Sequence, residues 1–452
     1  MPSFSTPLSG LTASSTALSA IANNLANLNT VGYKETRAVF RDLFYQNVGS
    51  SGSGTPIQLG TGAAVGALTT IFSGGSVESS GVSSDVAITG DGFFVLQNAD
   101  NVQFTRAGNF HVGADGLLRS EDGQAVLGYA AVNGSIPAGQ GLGPLQVGKG
   151  QISPPSATTW VELGANLDAG ATIGDSFATS ATVYDSLGDT HVLTFDFVKT
   201  GSNEWSYQVS LPSSELNATP GMKADGTQDE LPASLTLRTG KITFDSNGKL
   251  VAVDGTSDPA APINRSVAIS TSLASSPLEP PNPYPTSAAI NGLSNGAKGL
   301  DISWNLFASG GGGLFTQVNS PSNPTSNHKD GCGAGMLLDF NISEDGTIQG
   351  AFSNGQTMLL GQLALANFAN PQGLTRVGQN NFAEGLSSGV AVFGAPGTGG
   401  RGTVAGRSLE LSNVDIAQEF SRMIMAQRGF QANARAITTF DEIAQETINL
   451  KR

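Results

Sequence analysis

Few residues in this 452-residue chain have the types and spacing that chemistry demands. Gly143-Pro-Leu-Gln-Val-Gly-Lys149 carries the glycines and lysine of a phosphate-cradling loop. The following residue is Gly150, which has no hydroxyl to hold magnesium, and Pro144 removes a backbone N–H, so nucleotide binding is not expected. Gly60-Thr-Gly-Ala-Ala-Val-Gly66 is one residue too long for a dinucleotide fingerprint and follows no strand pattern; it reads as loop. His111, His191 and His328 lie far apart, none with a second His or Cys at ligand spacing, so they read as strand or surface histidines and not as metal ligands or triad members. Cys332 is the only cysteine; it sits in an Asp-Gly-Cys-Gly turn, reads as a free thiol and excludes an intramolecular disulfide. A carbohydrate-cleaving enzyme needs paired acids in an aromatic cleft, and Asp196 and Glu204 beside Trp205 make no identifiable pair. The expectation is a protein that is not an enzyme, with no catalytic residue, cofactor or metal.

Composition narrows the class. Fifty-nine glycines with only 13% charged residues point to many turns and strands, and 452 residues leave room for about three domains. A net charge of −14 without any basic cluster argues against nucleic acid and anionic membrane as partners, since both require basic patches. No apolar run reaches membrane-spanning length, so membrane insertion is not expected. The first residues show neither a charged n-region nor a continuous apolar h-region, which predicts export, if any, without a cleaved signal peptide.

The elements that organise the chain lie at its ends. Ile416, Phe420, Met423, Gln427, Phe430, Ala434, Ile437, Asp441, Ala444 and Ile448 step by four and three, a heptad seam in which only Gln427 and Asp441 are polar. Leu11, Ser14, Leu18, Ile21, Leu25 and Leu28 repeat the spacing near the N-terminus. The simplest arrangement buries these two helices against each other. Residues 1–30 carry no charge and are rich in Ala, Ser and Asn, so the first helix is weak and disordered unless it finds a partner. Ser412 or Asn413 is placed to cap the second, with Asp415 and Glu419 near its positive end and Lys451-Arg452 near its negative end.

Between the ends the pattern is β. Asp85 to Leu96 reads as strand, glycine turn and strand; Ala114-Asp-Gly and Glu121-Asp-Gly are hairpin signals. Glu35 to Val48 reads as an ordered connector and Gly49 to Gly66 as flexible loop. Strands are expected at 181–184, 191–199, 205–211 and 241–244, in a block resembling an inserted barrel or sandwich. Ser275 to Thr286, with five prolines, is excluded from a central strand, and Gly310 to Gly313 reads as surface loop.

The string Asn23-Asn24-Leu25-Ala-Asn27-Leu-Asn29-Thr30-Val-Gly32-Tyr33-Lys34 closely resembles the signature of the bacterial flagellar rod and hook proteins. Gly90-Asp-Gly-Phe-Phe and Thr105-Arg-Ala-Gly-Asn-Phe110 are similar to the first β-domain of that axial family. Val183-Tyr-Asp-Ser-Leu-Gly188, followed by His191 to Phe197, is similar to the outer domain of the hook proteins in particular; Phe352 to Gln356, Gly361 to Leu374, Leu409 to Asp415 and Met423 to Asn433 also resemble the hook proteins. The resemblance implies a multidomain, mainly β fold with barrel- or sandwich-like outer domains and terminal α-helices forming a coiled-coil-like inner domain. The expected division is 1–30 first helix, 31–75 connector, 76–155 and 334–407 the two halves of an inner β-domain, 156–333 an inserted outer β-domain, and 408–452 the second helix. It implies a self-assembling subunit of a curved, hollow extracellular tube in the flagellar hook and basal body. Its implied partners are copies of itself, the rod, hook cap and hook-filament junction proteins, and the type III export apparatus. Another axial subunit, or a secreted β-rich adhesin outside the family, are the alternatives.

Overall fold

The computed structural model describes residues 4–50, 52, 56–98, 101–148, 150–219, 230–254, 266–271, 289–308 and 312–449. The proline-rich stretch 275–286, Gly310 and Gly311 of the glycine run, Lys149 and the Lys451-Arg452 pair lie outside the described residues. The chain divides into two compact units, the first from residues 1–151, 337–351 and 357–452, the second from 152–336 and 352–356.

In the first unit, helix α1 (Ser5–Ala26) and helix α2 (Ile416–Asn449) bracket the β-structure in sequence. They are packed on one another, so the weak first helix has a partner inside its own chain. Thr36–Asp42 pairs antiparallel with Ala63–Thr70, and Tyr45–Ser50 with Pro56–Gly60. Much of the expected flexible loop is therefore strand. The backbone there is satisfied by hairpin pairing, which outweighs the loop-like Gly and Ser composition.

Beyond these hairpins an antiparallel sheet runs in the order Thr347–Phe352, Thr357–Leu363, Ala125–Ala130, Phe93–Asn98, Asn101–Thr105, Asn381–Ala383, Thr375–Gly378. Val86–Thr89 pairs with Thr403–Gly406, and Val77–Ser79 with Ser408–Glu410. Segments more than 300 positions apart thus form single ladders, which returns the chain to the start of α2. Phe93, Phe104, Phe368 and Phe382 fill a core with edge-to-face ring contacts such as 4.8 Å between Phe104 and Phe368.

The second unit contains two five-stranded sheets. One is a meander of Ser176–Tyr184, Thr190–Gly201, Glu204–Pro212, Ser234–Phe244 and Leu250–Val253, all antiparallel. The other is mixed: Trp160–Asp168 runs parallel to Asp301–Asn305 and Phe315–Val318 and antiparallel to Asn323–Lys329, while Ser266–Ser270 borders Asp301–Asn305. Burial alternates along Thr190–Gly201, as a half-buried strand requires. Alternate residues of both sheets share one core around Trp304, with Phe195 at 5.0 Å, Tyr207 at 5.1 Å and Phe315 at 5.7 Å between ring centroids.

The sequence contains three tryptophans, and Trp160, Trp205 and Trp304 all fall in the second unit, so tryptophan fluorescence reports that unit alone. Phe195→Ala is expected to destabilise it by about 3–5 kcal/mol through cavity formation beside Trp304. A shift below about 1 kcal/mol in denaturant titrations followed by fluorescence would contradict this packing.

Candidate functional site

The two terminal helices run antiparallel in a register fixed by four contacts. Phe4 lies edge-on to Phe440 at 6.0 Å, a Cβ placed on Gly10 would fall 2.6 Å from Asn433 Nδ2, a Cβ on Gly429 would lie 3.5 Å from Ser14 Oγ, and Asn24 donates to Glu419 Oε2 at 3.3 Å. Small residues at the crossing points let the backbones approach closely. Ile21 is buried, and Leu11, Leu18, Leu25 and Leu28 are half-buried.

On α2 the contact line runs through Glu419, Ala426, Gly429, Asn433 and Phe440, one position before the heptad seam that the sequence suggests. One residue turns a helix by about 100°. Met423, Phe430, Ala434, Ile437 and Ala444 of that seam are consequently half-buried at the flank, whereas Ile416, Phe420, Gln427, Asp441 and Ile448 remain exposed. The offset follows from size: Ala426 and Gly429 admit α1 where Phe420 and Gln427 would hold it away.

The cap of α2 is Asp415, whose Oδ1 accepts the N–H groups of Ala417 at 2.8 Å and Gln418 at 3.1 Å. This corrects the assignment to Ser412 or Asn413. Asn413 is spent elsewhere, accepting the Glu35 N–H at 2.8 Å and donating to Ile71 O at 2.9 Å.

The asparagine-rich string is held by a closed set of hydrogen bonds. Asn24, buried, donates to Thr36 O and accepts from the Tyr33 hydroxyl at 3.1 Å and Thr36 N–H at 2.9 Å. Asn23 donates to the Tyr33 hydroxyl; Asn27 covers the Asn23 carbonyl and accepts from Thr30 Oγ1. Gly32 has φ +66, its N–H donates to Glu410 O at 2.7 Å, and a Cβ would lie 2.5 Å from Ala107 N, so only glycine suits the position. Tyr33 is stacked against the Arg376 guanidinium at 5.3 Å. Asn29 is exposed and, with Asn23 and Asn27, lines an open cleft of about 610 Å³ bordered by Arg376 and Asn380.

Lys34 completes the string and enters the interior. Its ammonium lies 2.5 Å from Glu410 Oε1 and 2.8 Å from Ser73 O. Arg106 reaches Glu410 Oε2 at 3.4 Å and Gly90 O at 2.8 Å, and the Gly75 N–H donates to the same carboxylate at 2.9 Å. The three charged side chains are 0–2% exposed. Burial draws the Lys34 ammonium and the Arg106 guanidinium below their ordinary values, and Glu410 opposes that shift in both. One carboxylate thus joins the end of the α1 string, the end of the Asn101–Thr105 strand and the residue that leads into α2. A second cluster lies nearer the helices, where Glu419 accepts from Arg422 and Asn24, and Glu35 accepts from Arg422 at 3.4 Å and Arg37 at 3.0 Å.

In the sequence Lys34 stands in the string and Glu419 near the positive end of α2, but no role attaches to Arg106, Glu410, Glu35 or Arg422. Arg106 and Glu410 lie inside two of the phrases that carried the resemblance, and charge in a chain with only 13% charged residues was the available signal.

Elsewhere the structure separates what chemistry would need together. Gly143-Pro144 is a short strand paired with Leu127-Gly128. His111 and His328 are exposed strand residues, while His191 is buried. Cys332 is a buried free thiol in a backbone bridge with Ser156 instead of a turn. Among the described residues no group of three or more His, Cys, Asp or Glu is arranged to hold a metal. No helix among them is long and apolar enough to cross a membrane.

Four family models match. They are described as flagella basal body rod protein over residues 4–34, flagellar hook protein FlgE/F/G D1 domain over 87–166, flagellar basal body protein FlaE D2 domain over 158–332, and flagellar basal body rod FlgEFG protein C-terminal over 405–450. The flagellar hook protein FlgE of Treponema pallidum is 30% identical, with all of both chains covered, and that of Escherichia coli is 32% identical over 99% of this chain and all of the relative. The chain belongs to the flagellar hook protein FlgE family. That of Salmonella typhimurium is also 32% identical over 99% of this chain. Within the family fold, the rod model covers α1 and the string through Lys34, and the C-terminal model covers Glu410 and all of α2.

Replacing Glu410 by alanine would leave two buried cations without a counter-ion and is expected to cost the first unit about 3–5 kcal/mol. Lys34→Met leaves a neutral Arg106–Glu410 pair and should cost less. Calorimetry or hydrogen exchange in α1 and α2 reads the order; equal or reversed losses would remove Glu410 from its central position.

Proposed function

We propose that this chain is a structural subunit of the flagellar hook, polymerising through its terminal helices into a hollow, bendable tube that couples motor to filament. The observation that carries this reading is the outward face of α2. Ile416, Phe420 and Ile424 form an exposed row on the side of α2 turned away from α1, with Met425, Ile443 and Ile448 exposed toward its flanks, and Ile448 is 69% exposed. Such a row in a capped helix is suited to a second copy. The hairpins add a further apolar surface, with Phe44 90% exposed and Tyr45, Val48, Ile57 and Leu59 beside it in sequence or across the ladder.

An open helical polymer needs two different surfaces on each subunit, one engaging the other on the next copy. The helix face and the hairpin face provide two such surfaces. Gln427 and Asp441 interrupt the outward row, and polar interruptions of an apolar seam favour register over rigidity. Family membership supports reading the rod, hook cap and hook-filament junction proteins and the type III export apparatus as its partners, and the extracellular hook and basal body as its place. The absence of a catalytic role is part of the same reading.

Phe420→Asp combined with Ile424→Asp is expected to raise the concentration needed for tube formation more than about tenfold, the equivalent of about 1.4 kcal/mol per contact. Tryptophan fluorescence of the second unit should be unchanged. Electron microscopy of curved tubes at the wild-type concentration would refute the role of this face.

A further inference from the structure

We propose that Met425 is a site of reversible oxidation by peroxides, and that its sulfoxide, formed on the free subunit, blocks assembly along that flank of α2. The proposal rests on the assembly reading above and adds a chemical control to the same helix.

The sulfur inventory of the chain is small, one cysteine and six methionines. Cys332 is a free thiol but only 8% exposed, so an oxidant in solution has little access to it. Four methionines lie among the described residues. Met358 and Met423 are half-buried, whereas Met336 is 63% and Met425 65% exposed. Oxidation in the folded chain is therefore directed to two thioethers, and these differ in setting. Met336 stands on the strand Gly335–Ile342, opposite Ile152. Met425 stands at the mouth of a groove of about 410 Å³ whose walls include Ala17 and Ile21 of α1, Ala38 and Phe40 of the Thr36–Asp42 strand, and Ala426. Ile424, 50% exposed, joins it to the outward apolar row.

A thioether suits such a mouth. Methionine is unbranched, with three rotatable bonds and a polarisable sulfur, so it fills an irregular gap and repacks when the neighbouring surface shifts. A bending tube demands that of its contacts. The same side chain turns from apolar to polar in one reaction. A sulfur lone pair attacks one oxygen of the peroxide, the O–O bond breaks, and a proton passes to the departing oxygen, which with hydrogen peroxide leaves as water. The sulfur gives up two electrons and the peroxide takes them up. On the free subunit the resulting sulfoxide oxygen is solvated and disturbs the fold little, because Met425 is exposed there. Against the apolar surface of a second copy it loses its water without gaining a donor, a penalty confined to the polymer.

Full-length subunit treated with hydrogen peroxide is expected to gain one oxygen at Met425 and Met336 before Met423 and Met358, read by peptide mass spectrometry. The helical circular dichroism signal should be retained. The concentration needed for tube formation should rise about tenfold or more, and methionine sulfoxide reductases supplied with a dithiol should restore it. Met425→Leu, a volume-conserving change that removes the sulfur, should assemble after peroxide as it does before. Met336→Leu should stay as sensitive as wild type. Oxidised wild type that forms tubes at the untreated concentration, or Met425→Leu that is as peroxide-sensitive as wild type, overturns the proposal and leaves the assembly reading standing. Untreated wild type that forms no tubes refutes the assembly reading itself, and the oxidation control falls with it.

Discussion

A single buried carboxylate fixes how the first unit is put together. Two cations, Lys34 and Arg106, are buried in the interior, and removing either from water costs several kcal/mol unless a counter-charge and hydrogen bonds are supplied. Glu410 supplies both, with the Gly75 N–H on the same oxygen that Lys34 approaches. Such a contact tolerates little displacement, because a slip leaves a charge unpaired at low dielectric. It therefore specifies which part of the N-terminal segment meets which part of the C-terminal one. Lys34 lies eight residues after the end of α1 and Glu410 six before the start of α2, so fixing this pair limits where the two helices begin.

The helices use a different physics. Their interface has Ile21 and half-buried leucines, but its register is set by Asn24 on Glu419, Gly10 against Asn433, Ser14 against Gly429 and Phe4 against Phe440. Polar and small partners are direction-specific and contribute little apolar burial. α1 is accordingly held more by position than by burial, in keeping with its charge-free, serine-rich composition. The same small residues rotate α2 so that the bulky members of its heptad line face away from α1. An interface that satisfied the whole apolar line inside one chain would leave no outward face.

The β-class, the terminal helices and several turns were legible because each rests on local pattern. Strand alternation along Thr190–Gly201, Gly188 after Asp185 and Gly346 after Asp345 are local facts, and the helices show their periodicity directly. The contact face of α2 was not legible. Periodicity records where apolar residues lie, whereas the contact is decided by where a neighbour can approach, and Gly429 and Ala426 sit one residue off the apolar line. The hairpins between 36 and 70 were half missed because glycine and serine mask strand pairing when the partner strand is equally irregular. The Lys34–Glu410–Arg106 cluster joins residues 376 and 304 positions apart, and no local rule connects them.

The antiparallel register also says where the helix pair is incomplete. Phe440 lies opposite Phe4, so continuing along α2 from Asp441 to Asn449 passes the described end of α1. Ile443 and Ile448 lie on that overhang and are exposed. The near end of α2 is the opposite: Asp415 caps it, Glu419 and Arg422 bind it to Asn24 and Glu35, and Asn413 fixes the chain leading into it. Rigid at its root and, among the described residues, without a partner at its tip, α2 resembles a peg more than a core helix. No described residue of α1 lies opposite this tip in that register, whereas neighbouring copies in a helical array can cover it at no further cost in sequence.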